Sequence, residues 1–151
     1  MDDDFEVFDD QSDDDLDLTI YGDSDEVATE VTQQINDAIT LGLLTQGEFH
    51  LVLTGGSLGV AISEKLAAHW NANPTSFEGL HIWWSDERFV PADSPERNAL
   101  PLHGTVKNSK ITIHEAPASD QVSDIDVAVE KYRSELDEVD LDLIILGVGP
   151  D

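Results

Sequence analysis

Short apolar runs alternate along this chain with longer stretches whose apolar residues recur every three or four positions. That alternation restricts the possible folds more than any other feature. The runs are FHLVL, LHIWW, KITI and DLIIL. Each is too short for an independent helix and is followed by polar or glycine-rich sequence, the pattern of buried strands. A further segment, LDLTIYGD, sets Leu16, Leu18 and Ile20 on one face and Asp17 and Thr19 on the other, which predicts a strand. Between the runs lie Val27, Val31, Ile35 and Ile39, then Ile62, Leu66 and Trp70, then Val129, Tyr132 and Leu136. Such spacings make the buried stripe of a helix. Asp23 with Glu26 has the form of a capping box, and Gly42 or Gly47 can end the first helix. Strands and helices in alternation predict an α/β fold with a mostly parallel sheet.

The chain of 151 residues is long enough for one domain with a real core. Charge is the compositional outlier, with 33 acidic residues against 7 basic and a net charge of −26. Such a field repels nucleic-acid phosphates and anionic membrane surfaces, so neither is an expected partner. Acid concentrates in the head, MDDDFEVFDDQSDDD, where Phe5, Val7 and Phe8 are too few to offset ordering entropy and self-repulsion. Residues 1–15 are therefore expected to be disordered and 16–151 to form the α/β unit. The absence of cysteine excludes disulfides and thiolate chemistry. With no apolar leader and no apolar run near the ~20 residues of a membrane helix, the expected compartment is the cytoplasm.

Ligands of parallel sheets sit at the carboxyl ends of the strands. Three polar clusters fall there: Thr54–Ser57, Ser85–Arg88 and Gly147–Asp151. In the first, Gly55 and Gly56 permit close backbone approach, and the following helix offers free N–H groups to an anion. The same residues also fit a plain turn with Ser57 as N-cap. In the second, Arg88 offers a planar fork to a phosphate, or else pairs with Asp86 and Glu87 at the surface. In the third, strand-ending glycines precede Asp151. His50, His69, His81, His103 and His114 show no metal-binding spacing, and no metal site is expected. Trp83 and Trp84 read as packing residues.

Taken together, LTGGS, WWSDERFVPADSPERN and DLIILGVGPD, in this order and spacing, resemble the 6-phosphogluconolactonases. The resemblance covers roughly Leu16 to Asp151. It implies a Rossmann-like three-layer αβα fold of the sugar-phosphate isomerase and deaminase group. It also implies hydrolysis of 6-phospho-D-glucono-1,5-lactone to 6-phospho-D-gluconate in the oxidative pentose phosphate pathway, without a metal or organic cofactor. On this resemblance Gly55, Gly56 and Ser57 would cradle the substrate near its phosphate, and Arg88 would supply positive charge. Asp86 and Asn98 would line the site, while Gly147, Gly149 and Asp151 would form the turn that presents the general base.

In that family the last motif continues past the aspartate into a histidine, the general base, whereas this sequence stops at Asp151. The expectation is the N-terminal portion of a longer enzyme, inactive by itself. Pro101 and Gly104 also leave little room for the helix usual after Asn98. The alternatives are an amino-sugar-phosphate deaminase of the same fold, for which Arg88 is the wrong residue, and a non-catalytic sugar-phosphate-binding domain.

Overall fold

A computed structural model of the chain describes residues 16–149, so the acidic head and Asp151 lie outside the described residues. Helix α1 (Ser24–Gln46) begins where the Asp23 carboxylate accepts the Glu26 N–H at 2.9 Å. Glu26 reaches back to the Gly22 N–H at 2.8 Å, one residue before the N-cap, so the capping box is present in a shifted form. Gly47 ends the helix, its N–H on the Leu43 carbonyl at 3.0 Å. Gly42 stays inside it, because the Phe49 ring occupies the place a Cβ there would take. Ile35 and Ile39 are buried while Val27 and Val31 are half-buried. A strict four-residue spacing advances about 40° per step around a 3.6-residue helix, so the buried face passes to Ala28 and Thr32 at the N-terminal end.

Strand β1 (Phe49–Leu53) leads through helix α2 (Gly56–Ala72) to strand β2 (Leu80–Trp84), and the two strands pair in parallel from Phe49 with Leu80 to Leu53 with Trp84. Strand β3 (Thr112–Ile113) extends the sheet beyond β2. The chain then returns through helix α3 (Ile125–Leu136) to strand β4 (Leu143–Ile144) on the far side of β1. The order is β3-β2-β1-β4 with every pairing parallel. The direction of winding therefore reverses between β1 and β4, and in such sheets the crevice at that reversal receives the ligand.

Alternation of side chains gives the sheet two different faces. Phe49, Leu51, Leu53, Leu80, Ile82 and Trp84 join Ile35, Ile39, Ile62, Leu66 and Trp70 from α1 and α2 in one core. Trp70 is fully buried, and its indole N–H reaches Asn36 Oδ1 at 3.2 Å, tying α2 to α1. The opposite face carries His50, His81 and Trp83, with Tyr132 of α3 tilted over Trp83 at 5.9 Å. Helices on both faces make the expected three layers.

Three expectations change. Leu16, Leu18 and Ile20 form no strand and are exposed, since alternation needs a partner edge and no described strand pairs with them. Strand β4 is short and at an edge rather than buried, with Leu143 half-buried and Ile144 exposed. On α3 the buried residue is Ala128, while Val129 faces outward. After Asn98 the chain makes successive turns and no helix, as Pro101 and Gly104 suggest.

Candidate functional site

The exit of β1 has the form of an anion cradle. Gly55 is the N-cap of α2 and provides no side-chain cap, and no acidic residue stands in the first turn. The first N–H groups of α2 are thus left for a ligand, at the positive end of the helix dipole. Gly56 takes φ 78°, a left-handed conformation that side chains disfavour. Ser57 lies inside the first turn and is exposed, so it is not the N-cap its position in the sequence also allowed. The exit of β4 lies alongside: a Cβ on Gly147 would stand 3.6 Å from Thr54 Oγ1. Gly149 follows in exposed chain, and Asp151 lies outside the described residues.

The exit of β2 reaches this cradle through Asn98. Its carboxamide sits where a Cβ on Gly55 would be, so only glycine admits it. Asn98 Nδ2 donates to the Asp86 carbonyl at 2.9 Å. Asp86 therefore contributes its backbone to the arrangement, and its carboxylate faces the Ser85 hydroxyl at 3.3 Å. Pairing of Glu87 with Arg88 at the surface is overturned. The Glu87 side chain is only 8% exposed and lies 3.8 Å from Nε of the buried Arg97. Its Oε1 accepts the N–H groups of Arg88 at 2.8 Å and Asn98 at 2.6 Å, and its Oε2 accepts that of Ala99 at 2.9 Å. Arg97 in turn donates from Nη2 to the Ala116 carbonyl at 2.7 Å. The sequence marks Glu87 only as a possible partner of Arg88 and does not mark Arg97, because an acid followed ten residues later by an arginine has no motif spacing.

The guanidinium of Arg88 has no hydrogen-bond or ion-pair partner among the described residues. It lines a cleft of about 390 Å³ between the exit of β2 and α3, with Trp84, Phe89, Pro117, Ala128 and Tyr132. Tyr132 braces the cleft, its hydroxyl accepting the Trp84 N–H at 2.9 Å. Burial pushes its phenol up to about 12, with smaller contributions from Glu135 and Glu87, against the hydrogen bond to the Trp84 backbone.

Three histidines that show no pattern in the sequence meet on the α3 face. His81 Nδ1 and His114 Nε2 are 2.9 Å apart, His114 stacks on Trp83 at 3.8 Å, and His50 stacks on His81 at 4.5 Å. Glu48 Oε1 lies 2.7 Å from His50 Nε2 and 3.5 Å from His81 Nε2, a cluster of metal-ligand types. The protonation pattern opposes a metal there. The Trp83 indole N–H donates to His50 Nδ1 at 3.0 Å, which places the ring's proton on Nε2, facing Glu48. A metal on Nε2 would displace that proton and break the indole bond. His50 also stands three residues before the end of β1, about 10 Å from the edge that carries the cradle.

Comparison with known proteins decides the family. The profile described as glucosamine-6-phosphate isomerases/6-phosphogluconolactonase matches residues 22–151. The chain belongs to this family. Among its relatives, the 6-phosphogluconolactonase of Mycobacterium tuberculosis is 29% identical over 148 residues, covering 89% of this chain and 59% of that protein. The Thermotoga maritima 6-phosphogluconolactonase is 32% identical over 127 residues, covering 80% of this chain and 54% of that protein. Its crystal structure superposes with a TM-score of 0.66 at 31% identity, over 82% of this chain and 56% of that one. The Shewanella baltica 6-phosphogluconolactonase gives a TM-score of 0.69 at 17% identity, a likeness of fold over 85% of this chain and 55% of that one. The chain spans little more than half the length of these relatives. In this chain the glycine cradle and the Ser-Asp-Glu-Arg block stand at the neighbouring ends of β1 and β2.

Proposed function

We propose that the chain carries the substrate-binding half of a cytoplasmic 6-phosphogluconolactonase, which opens 6-phospho-D-glucono-1,5-lactone to 6-phospho-D-gluconate without a metal or organic cofactor. The observation that carries the proposal is the seating of Asn98 against Gly55 beside the uncapped start of α2, at the β1/β4 crevice. Free N–H donors at a helix start suit a phosphate. The phosphate is remote from the lactone carbonyl, so it positions the ring while the chemistry happens elsewhere.

In this reading Gly55, Gly56 and Ser57 hold the phosphate and Arg88 supplies its counter-charge from the neighbouring strand end. Asn98 and Asp86 border the sugar, and Gly147 and Gly149 close the crevice from β4. Asp151 supports the group that takes a proton from water. The three clustered histidines are assigned no part in this step: His50 and His81 stand second in β1 and β2, and His114 is held between Trp83, His81 and Glu135 on the α3 face. The names of the relatives support the lactonase over the isomerase branch of the family.

The test is lactone opening by the complete enzyme of which this chain is the substrate-binding half, followed as acid release, beside ammonia release from glucosamine 6-phosphate. The proposal expects acid release on the lactone and no ammonia. Ammonia release without lactone opening would overturn it. No helix among the described residues is long and apolar enough to cross a membrane.

A further inference from the structure

The Glu87 carboxylate makes more backbone contacts than any other side chain at the candidate site. It gathers three consecutive-loop donors, the N–H groups of Arg88, Asn98 and Ala99, from two stretches of chain about ten residues apart. It does so almost out of contact with water, which makes each bond to its charge stronger than one at the surface. The stretch between, Phe89 to Arg97, forms no helix or strand that could hold the two ends together. Arg97 sits beside Glu87 and ties the same carboxylate to the Ala116 carbonyl across the loop. Asn98, positioned through its own N–H, then places its carboxamide against Gly55 and on the Asp86 carbonyl.

We infer that Glu87 is a positioning residue: its carboxylate fixes Asn98 against Gly55 and so sets how the β2 exit meets the cradle at the β1 exit. The inference rests on the sugar-phosphate reading only for the identity of the ligand. Glu87 touches no substrate in this account and acts through Asn98 and the backbone of Arg88. It links the two residues that the sequence offers as separate candidates. Glutamine at this position keeps the size but turns one oxygen into a donor, which then opposes either the Ala99 N–H or the pair of N–H groups at Arg88 and Asn98.

The experiment is amide hydrogen exchange and side-chain amide NMR on the wild-type chain, Glu87→Gln and a core control, Ile111→Val, under conditions where all three are folded by circular dichroism. The inference expects Glu87→Gln to displace the Asn98 side-chain resonances and the Gly55 amide. It also expects faster exchange at Asn98 and Ala99 by tenfold or more, with Ile111→Val leaving all of these in place. Asn98 and Gly55 signals unmoved in folded Glu87→Gln would overturn it. Should Glu87→Gln fail to fold, Glu87→Asp, which keeps both acceptors on a shorter stem, takes its place with the same expected shifts and the same overturning result. These readouts need no ligand. Titration of the wild type with 6-phospho-D-gluconate is a separate arm, and a lack of binding there counts against the proposed function while the positioning result stands.

Discussion

His81 Nδ1 lies 2.9 Å from His114 Nε2, and the two rings form the middle of a chain that runs from Glu48 to Glu135. Two neutral rings bring two protons to three gaps. The gaps are 3.3 Å to Glu135, 2.9 Å between the rings and 3.5 Å to Glu48, and one of the three is left without a proton. One added proton fills that gap. A second would set two N–H groups against each other.

Burial, then His50 and His114, hold the pKa of His81 below its ordinary 6.5, against the opposing pull of Glu48. Glu135 and Tyr132 face the same cluster from α3. The unfolded chain therefore takes up this proton first. The contribution to stability is complete above pH about 6.5 and is lost as pH falls through the depressed value. Thermal unfolding from pH 7.5 to 5 should show a steeper loss for the wild type than for His81→Gln. Parallel slopes for the two proteins would remove the histidine chain as the cause.

Tyr132 titrates in the opposite sense. Its phenol is raised to about 12, so the unfolded chain gives up the proton first as pH rises past 10. Stability from this group is full below pH 10 and is lost as pH rises through 12. The chain has two tyrosines, so in Tyr21→Phe the ultraviolet phenolate signal reports Tyr132 alone. That signal should appear near pH 12. Ionisation at 10 in the folded protein would contradict the burial of the phenol.

Trp70 joins two helices by packing and by one hydrogen bond. Trp70→Ala should cost about 3–5 kcal/mol through lost burial and the cavity left behind. Trp70→Phe keeps most of the packing but leaves Asn36 Oδ1 without its indole donor, a cost of about 1–3 kcal/mol. Denaturant unfolding of both variants separates the two contributions. A negligible loss in Trp70→Phe would mean the bond carries nothing.

Gly55 and Gly56 should fail differently. Alanine at 56 meets open space but must hold φ 78°, which costs about 1–2 kcal/mol without moving neighbours. Alanine at 55 puts a Cβ into the Asn98 carboxamide and must displace it. Side-chain amide NMR of Asn98 should therefore shift in Gly55→Ala and stay in place in Gly56→Ala.

Legibility in the sequence followed local physics. Runs such as FHLVL and LHIWW are strands because apolar side chains on both faces leave no solvent side, and the structure pairs them residue for residue. The strand-to-helix turn at Gly55 and Gly56 was legible, but that the start of α2 lacks a side-chain cap was not, because Ser57 could equally have supplied one. LDLTIYGD shows where such reasoning stops: its alternation is sound, but no described strand pairs with it. A surface pairing of Glu87 stayed open in the sequence because nothing local distinguishes a carboxylate that collects backbone N–H groups from one that faces water. The histidine cluster was invisible for the same reason, since His50, His81 and His114 meet only through strand register.

The central claim is that the start of α2 holds the phosphate of a sugar phosphate. Titration of the chain with 6-phospho-D-gluconate, read at its backbone amides and set beside D-gluconate, tests it most directly. The account predicts saturable shifts of Gly55, Gly56 and Ser57 with the phosphorylated sugar and none with D-gluconate. Unmoved cradle amides, or equal shifts with both sugars, would contradict it.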